Sequence, residues 1–157
     1  MKNKNNTLIL GLVNDILTDD GIGPKLVMEL QKVFEYPDVS FKTAATGGLE
    51  ILELIKDYSN AIIIDAIKTN NGIPGTIYYL TPSNFKETLH VSSFHDISFL
   101  TALNLAEKMD LTIPDQINII AIEIVEDLTF SDKFSPLITE KYNQIFQEVV
   151  ESVRKMI

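Results

Sequence analysis

Near neutral pH this chain has few groups with which to do chemistry. It contains no cysteine, which excludes thiolate nucleophiles, disulfides, Cys-ligated zinc and iron–sulfur ligation together. Its two histidines are His90 and His95. Any metal must therefore be held by carboxylates and imidazole. No Ser-His-Asp order, G-x-S-x-G elbow, H-E-x-x-H helix or S-x-x-K pair is present, so the attacking nucleophile would have to be water.

Three places hold the candidates. In the stretch from Gly11 to Gly23, the acids Asp15, Asp19 and Asp20 crowd together ahead of a helix, where carboxylates can cap it or hold a cation. The glycines at 11, 21 and 23 fit neither G-x-G-x-x-G nor a P-loop. Asp65 follows Ala61-Ile62-Ile63-Ile64 directly, at the end of an apolar strand. An ionised carboxylate buried there costs on the order of several kcal/mol unless a loop amide, a helix N-terminus or a cation meets it. His95 stands in Ser92-Ser93-Phe94-His95-Asp96-Ile97-Ser98, where a helix should begin with Asp96 as its cap. The helix dipole there keeps an imidazole neutral, the form that binds metal. His90, in Glu87-Thr88-Leu89-His90, reads as an exposed loop residue. One acid from the first loop, Asp65 and His95 make an O, O, N set suited to a borderline divalent ion, with coordination positions left open.

Bringing such distant residues together is the task of the fold. Apolar runs at Thr7 to Val13, Ala61 to Ile67 and Ile117 to Ile124 are continuous enough for strands covered on both faces, as in a parallel sheet. Val39 to Ala44 and Gly75 to Leu80 are shorter and read as edge strands. Helical stripes alternate with them: Leu26, Val27, Leu30, Val33 and Phe34 after Pro24; Leu49, Leu52, Leu54 and Ile55 after Gly48; Leu100, Leu103 and Ala106 from about Ile97. The last helix follows Ser135-Pro136, with Ile138, Tyr142, Ile145, Phe146, Val149, Val153 and Met156 in its stripe. The order βαβαββαβα predicts one domain, residues 1–157, an α/β three-layer α/β/α sandwich around a mostly parallel five-stranded sheet. Such sheets place function at the C-terminal ends of their strands, which selects Asn14 to Gly23, Asp65 and its successors, and Glu123 to Phe134.

Composition narrows the partners. The chain has 157 residues, 45% of them hydrophobic, enough for one domain with a core. A formal charge of −9 repels nucleic acid and anionic membranes. The run after Asn6 is too short for a membrane span and lacks a signal-peptide cleavage site, so a cytoplasmic protein is expected.

In order along the chain, Gly11-Leu12-Val13-Asn14, Asp19-Asp20-Gly21-Ile22-Gly23, Thr46-Gly47-Gly48-Leu49-Glu50-Ile51-Leu52, Ile63-Ile64-Asp65-Ala66, Pro74-Gly75-Thr76, Phe94-His95-Asp96-Ile97, Ile122-Glu123-Ile124 and Phe130-Ser131-Asp132-Lys133-Phe134-Ser135-Pro136 together resemble the nickel–iron hydrogenase maturation proteases. The resemblance spans about residues 7 to 150. It implies a phosphorylase/hydrolase-like α/β/α fold and an endopeptidase that removes the C-terminal extension of the hydrogenase large-subunit precursor once nickel is in place. It implies Asp20, Asp65 and His95 as the catalytic and nickel-recognising residues, with Asp19 a further candidate acid or base. The nickel would come with the precursor, bound by its cysteines, and the protein is expected to act as a monomer. Two positions depart from the family pattern: Val13 replaces the second glycine of G-x-G-N, and Thr43 replaces an aspartate three residues before Thr46.

Two other classes fit parts of this pattern. A non-catalytic accessory protein that binds the precursor would suit the altered Val13 and Thr43. A receiver-type signalling domain would need a lysine at the end of the fifth strand, where the chain reads Ile122-Glu123-Ile124-Val125-Glu126 instead.

Overall fold

A computed structural model describes residues 6–12, 18–44, 48–84, 94–125 and 131–157, with backbone alone at 48 and 94–98. The elements are β1 (Thr7–Leu12), α1 (Ile22–Val33), β2 (Val39–Ala44), α2 (Gly48–Ile55), β3 (Asn60–Ile67), β4 (Ile77–Leu80), α3 (Phe94–Lys108), β5 (Gln116–Glu123) and α4 (Pro136–Met156). The strands form one sheet in the order β2-β1-β3-β5-β4. All neighbours run parallel except β4, which pairs antiparallel with β5. The two short segments do form the edges, and the sandwich follows the expected element order. A receiver domain's parallel 2-1-3-4-5 sheet is thereby excluded.

Antiparallel β4 follows from chain length. Only residues 68–76 separate β3 from β4, and a parallel crossover needs a dozen or more. Both edges of β3 are already taken by β1 and β5, so the returning strand pairs with β5.

Side chains alternate between two cores. Leu8, Leu10, Leu12, Ala61, Ile63, Ile67, Ile119 and Ala121 face α2 and α3, meeting Ile51, Leu52, Ile55, Phe99, Leu103 and Ala106. Ile9, Ile62, Ile64, Ala66, Ile120, Ile122 and Ile124 face α1 and α4, meeting Leu26, Leu30, Phe34, Ile138, Ile145, Val149 and Val153. By the period of two, Asp65 and Glu123 fall on the α2/α3 side, in line with Ile63 and Ala121.

Some helix positions differ from the expected stripes. Val33 and Leu49 are exposed, and Ile51, absent from the expected stripe, is buried. Val33 is the last residue of α1 and Leu49 stands in the first turn of α2. Helix α3 begins at Phe94, three residues before the expected Ile97, so Asp96 is at its third position and past the cap.

Helix α1 is seated unusually close to the sheet. A Cβ on Gly23 would lie 2.6 Å from the Ile64 carbonyl oxygen and 2.9 Å from that of Leu12. A Cβ on Gly11 would lie 2.8 Å from the carbonyl carbon and oxygen of Gly23. Backbone therefore rests on backbone, a contact that only glycine permits at these two positions. Gly21 has nothing within 4 Å of its missing Cβ.

At the other side of α1, the Tyr142 hydroxyl of α4 donates to Glu29 Oε2 at 2.6 Å, and the Lys25 ammonium lies 4.6 Å from the Tyr142 ring centroid. Burial first, then the Glu29 carboxylate, pushes the Tyr142 phenol well above the usual tyrosine range. A phenol held neutral in the fold contributes stability that is intact below its unfolded value of about 10 and lost as pH rises beyond it.

Two outcomes are expected. Gly23→Ala should lower the folding free energy by about 1–3 kcal/mol in a denaturant titration, while Gly21→Ala should stay within about 0.5 kcal/mol of wild type. Tyr142→Phe should flatten the decline in unfolding midpoint as pH rises above about 10. An equally steep decline in that variant would assign the alkaline sensitivity elsewhere.

Candidate functional site

The sheet's C-terminal end gathers the acids. Asp65 is the sixth residue of β3, only 4% exposed, and its Oδ1 accepts the Ala66 amide at 2.9 Å. Part of its charge is thus met by a backbone amide of its own strand, as expected for a buried carboxylate. Asp20, 8% exposed, lies in the turn that enters α1. The contact of Gly23 with Ile64 sets that turn against β3 one residue before Asp65.

His95 is in the first turn of α3. Helix α3 ends near the start of β5, because only residues 109–115 separate the two. Its 15 residues rise about 22 Å at 1.5 Å each, close to the length of the eight-residue β5 at about 3.3 Å per residue. The helix runs back along the sheet, so its first turn stands at the same end as Asp65. It is also on the face toward which Asp65 points, since Phe99, Ala102 and Leu103 share a core with Ile63 and Ala121. The His95 side chain, like Val13, Asn14, Asp15, Thr46, Gly47, His90 and residues 126–130, lies outside the described residues. Among the described residues no group of three His, Cys, Asp or Glu is arranged to hold a metal ion. Thr43, where the family pattern has an aspartate, is exposed on edge strand β2 opposite Gly11.

Asp19, adjacent to Asp20, is fully buried and serves the backbone. Its Oδ1 accepts the Ser135 amide at 2.7 Å, and its Oδ2 accepts the Val125 amide at 3.1 Å and the Ser135 hydroxyl at 2.8 Å. Its own carbonyl accepts the Ile22 amide at 3.2 Å, at the start of α1.

Glu123 is a further buried carboxylate, one that the sequence marked only as the start of a rim segment. It is 1% exposed at the end of β5. Thr69 donates to it twice, from its amide to Oε1 at 2.8 Å and from its hydroxyl to Oε2 at 2.9 Å. The Glu123 carbonyl accepts the Gly75 amide at 2.8 Å. Gly72 packs its Cα against the carboxylate where any Cβ would collide. The segment after Asp65 is therefore fastened to β5, and Lys141 adds a bond from its ammonium to the Pro74 carbonyl at 2.8 Å. The signal in the sequence was an acid ending an otherwise apolar strand, Ile119-Ile120-Ala121-Ile122-Glu123.

One cavity lies apart from this arrangement. A cavity of about 650 Å³ opens between the C-terminal ends of α2 and α3, lined by Leu52, Lys56, Ala106 and Ile113, at the end of the sheet away from the acids.

The five-stranded α/β/α sandwich matches what comparison with known proteins finds. The hydrogenase maturation protease family model matches residues 24–152. The chain belongs to that family, and it is a peptidase. It is 26% identical over 153 residues to the hydrogenase 2 maturation protease of Escherichia coli strain K12, covering 94% of this chain and 90% of that protein. Its fold is similar to that of the hydrogenase maturating endopeptidase HybD from E. coli, with a TM-score of 0.76 at 22% identity over 96% of this chain and 93% of that one. It also resembles the hydrogenase maturation protease HycI from Thermococcus kodakarensis, with a TM-score of 0.67 at 22% identity over 95% and 92% of the two chains. Among the described residues no helix is long and apolar enough to cross a membrane.

Glu123 gives a test of how charge is used here. Glutamine can still accept the Thr69 amide, and its NH2 can donate to the Thr69 hydroxyl, which rotates to accept. Glu123→Gln should keep activity and stability near wild type, whereas Glu123→Ala, which strands a buried amide, should lose about 1–3 kcal/mol by denaturant titration. A Gln variant as damaged as the Ala variant would show that the negative charge itself is needed.

Proposed function

We propose that this peptidase removes the C-terminal extension of a nickel–iron hydrogenase large-subunit precursor, and that it reads the nickel already inserted in that precursor. The supporting observation is Asp65: a carboxylate 4% exposed, two residues before the end of a central strand, facing the layer whose helix α3 carries His95 in its first turn. The Asp20 turn is seated against the preceding residue of the same strand. Sequence likeness to the E. coli hydrogenase 2 maturation protease supports the substrate class.

Nickel arrives as cargo, held by cysteines of the precursor. Asp20, Asp65 and His95 complete its shell with two carboxylates and an imidazole, a donor set that suits a borderline divalent ion. Precursor without nickel offers nothing for these three to grip, so it does not dock. Docking brings the scissile peptide beside the rim, where the ion polarises the carbonyl or the attacking water. The chain's own nucleophile inventory, without cysteine, agrees with water as the attacking group. The protein acts alone as a monomer in the cytoplasm, its α4 apolar stripe being spent on its own sheet.

The test is incubation of the purified protein with nickel-loaded and nickel-free precursor, followed by mass spectrometry for the released C-terminal peptide. Cleavage is expected from the loaded form alone, and His95→Ala is expected to abolish it with the unfolding midpoint unchanged. Equal cleavage of both forms would contradict nickel recognition. Full activity of the His95 variant would remove that residue from the site, and a stable complex without cleavage would leave only a binding role.

A further inference from the structure

We infer that Asp19 is a positioning residue, whose carboxylate clasps the first loop to β5 and α4 and thereby fixes where Asp20 stands. The inference rests on the role proposed above for Asp20. It assigns Asp19 away from proton transfer.

Three observations carry it. First, Asp19 is buried completely, and both of its oxygens are already engaged by donors from segments 106 and 116 residues further along the chain. Two of those donors are main-chain amides, which can do nothing but donate. Second, Ser135 is the N-cap of α4, yet its hydroxyl makes no bond to that helix and donates to Asp19 instead. A serine cap ordinarily stabilises its own helix by bonding a first-turn amide, so α4 forgoes that bond in favour of the clasp. The carboxylate also lies at the N-terminal end of α4, where negative charge is favoured. Third, the main chain of Asp19 is fixed as well, since its carbonyl accepts the Ile22 amide. Asp20 therefore stands between two anchored points: Asp19 on one side, and on the other the start of α1, pressed on β3 through Gly23.

This geometry separates the roles of two adjacent acids. The first bonds across to β5 and α4, and the second faces its task from a backbone that the first has fixed. Asparagine at position 19 fits the space but turns an NH2 toward at least one of the two amides, a donor set against a donor.

Asp19→Asn and Ser135→Ala are assayed singly and together. Cleavage of nickel-loaded precursor is followed as a function of its concentration, binding is measured for loaded and nickel-free precursor, and unfolding midpoints are recorded. For a clasp, Asp19→Asn raises KM by about tenfold or more with a smaller fall in kcat, and weakens capture of loaded precursor selectively. Ser135→Ala does the same by about threefold, and the double variant is no worse than Asp19→Asn because a single network is lost once. A fall in kcat of about 100-fold at unchanged KM would make Asp19 the base and overturn the inference. So would additive losses, or equal weakening toward both forms of precursor, since each denotes a structural role only. Should Asp19→Asn not fold, Ser135→Ala decides, and a KM within about twofold of wild type overturns the clasp. If wild-type protein cleaves loaded and nickel-free precursor alike, the nickel reading itself fails and this inference with it, independently of either variant.

Discussion

The site depends on one close approach. Where Gly23 meets the carbonyl oxygens of Ile64 and Leu12, and Gly11 meets Gly23, helix backbone rests directly on strand backbone. A side chain at either position would lift the start of α1 off the sheet, because the atoms it would strike are main chain and cannot rotate aside. With the helix seated this low, the turn holding Asp19 and Asp20 comes down to the rim at the level of Asp65. Had α1 packed at an ordinary side-chain distance, the acids of that turn would stand apart from β3 by several ångströms.

The rim's carboxylates then divide by what they bond. Asp19 and Glu123 face backbone amides and hydroxyls of loops that would otherwise be loosely attached, and they tie the ends of β1, β3 and β5 to one another and to α4. Burying them is tolerable because each has donors that only an acceptor could satisfy. Asp20 and Asp65 occupy the space so framed. Fixing loops with buried charge rather than with apolar contacts suits a rim that must stay open to a polypeptide, since a hydrophobic clasp of the same strength would need more covering chain.

Much of this was legible in the residues, and the reasons are local. Strands β1, β3 and β5 are each built around consecutive aliphatic residues on both faces, and a stretch of that kind has no exposed face to offer. The edges were readable from the shortness of Val39–Ala44 and of the segment opened by Pro74-Gly75. Asp65 stood out because an acid ending such a run must be accounted for. What sequence did not reveal was contact across long separations. Nothing near Asp19 in the chain says that Val125 and Ser135 will donate to it, so an acid in a capping position and an acid in a clasp look alike. Glu123 was equally visible as the end of an apolar run, but its partner Thr69 is 54 residues away. The start of α3 fell three residues before the expected Ile97, because periodicity locates the packing of a helix and not its first residue.

The central claim is that Asp20, Asp65 and His95 add oxygen and nitrogen ligands to a nickel ion that the substrate brings. X-ray absorption at the nickel edge, on loaded precursor alone and then with the protein added, reads that shell directly. The account predicts that light-atom ligands join the sulfur ligands on complex formation, and that the imidazole signature is missing when His95→Ala is used in place of wild type. A nickel shell of unchanged composition in a complex that is nevertheless formed and cleaved would contradict it.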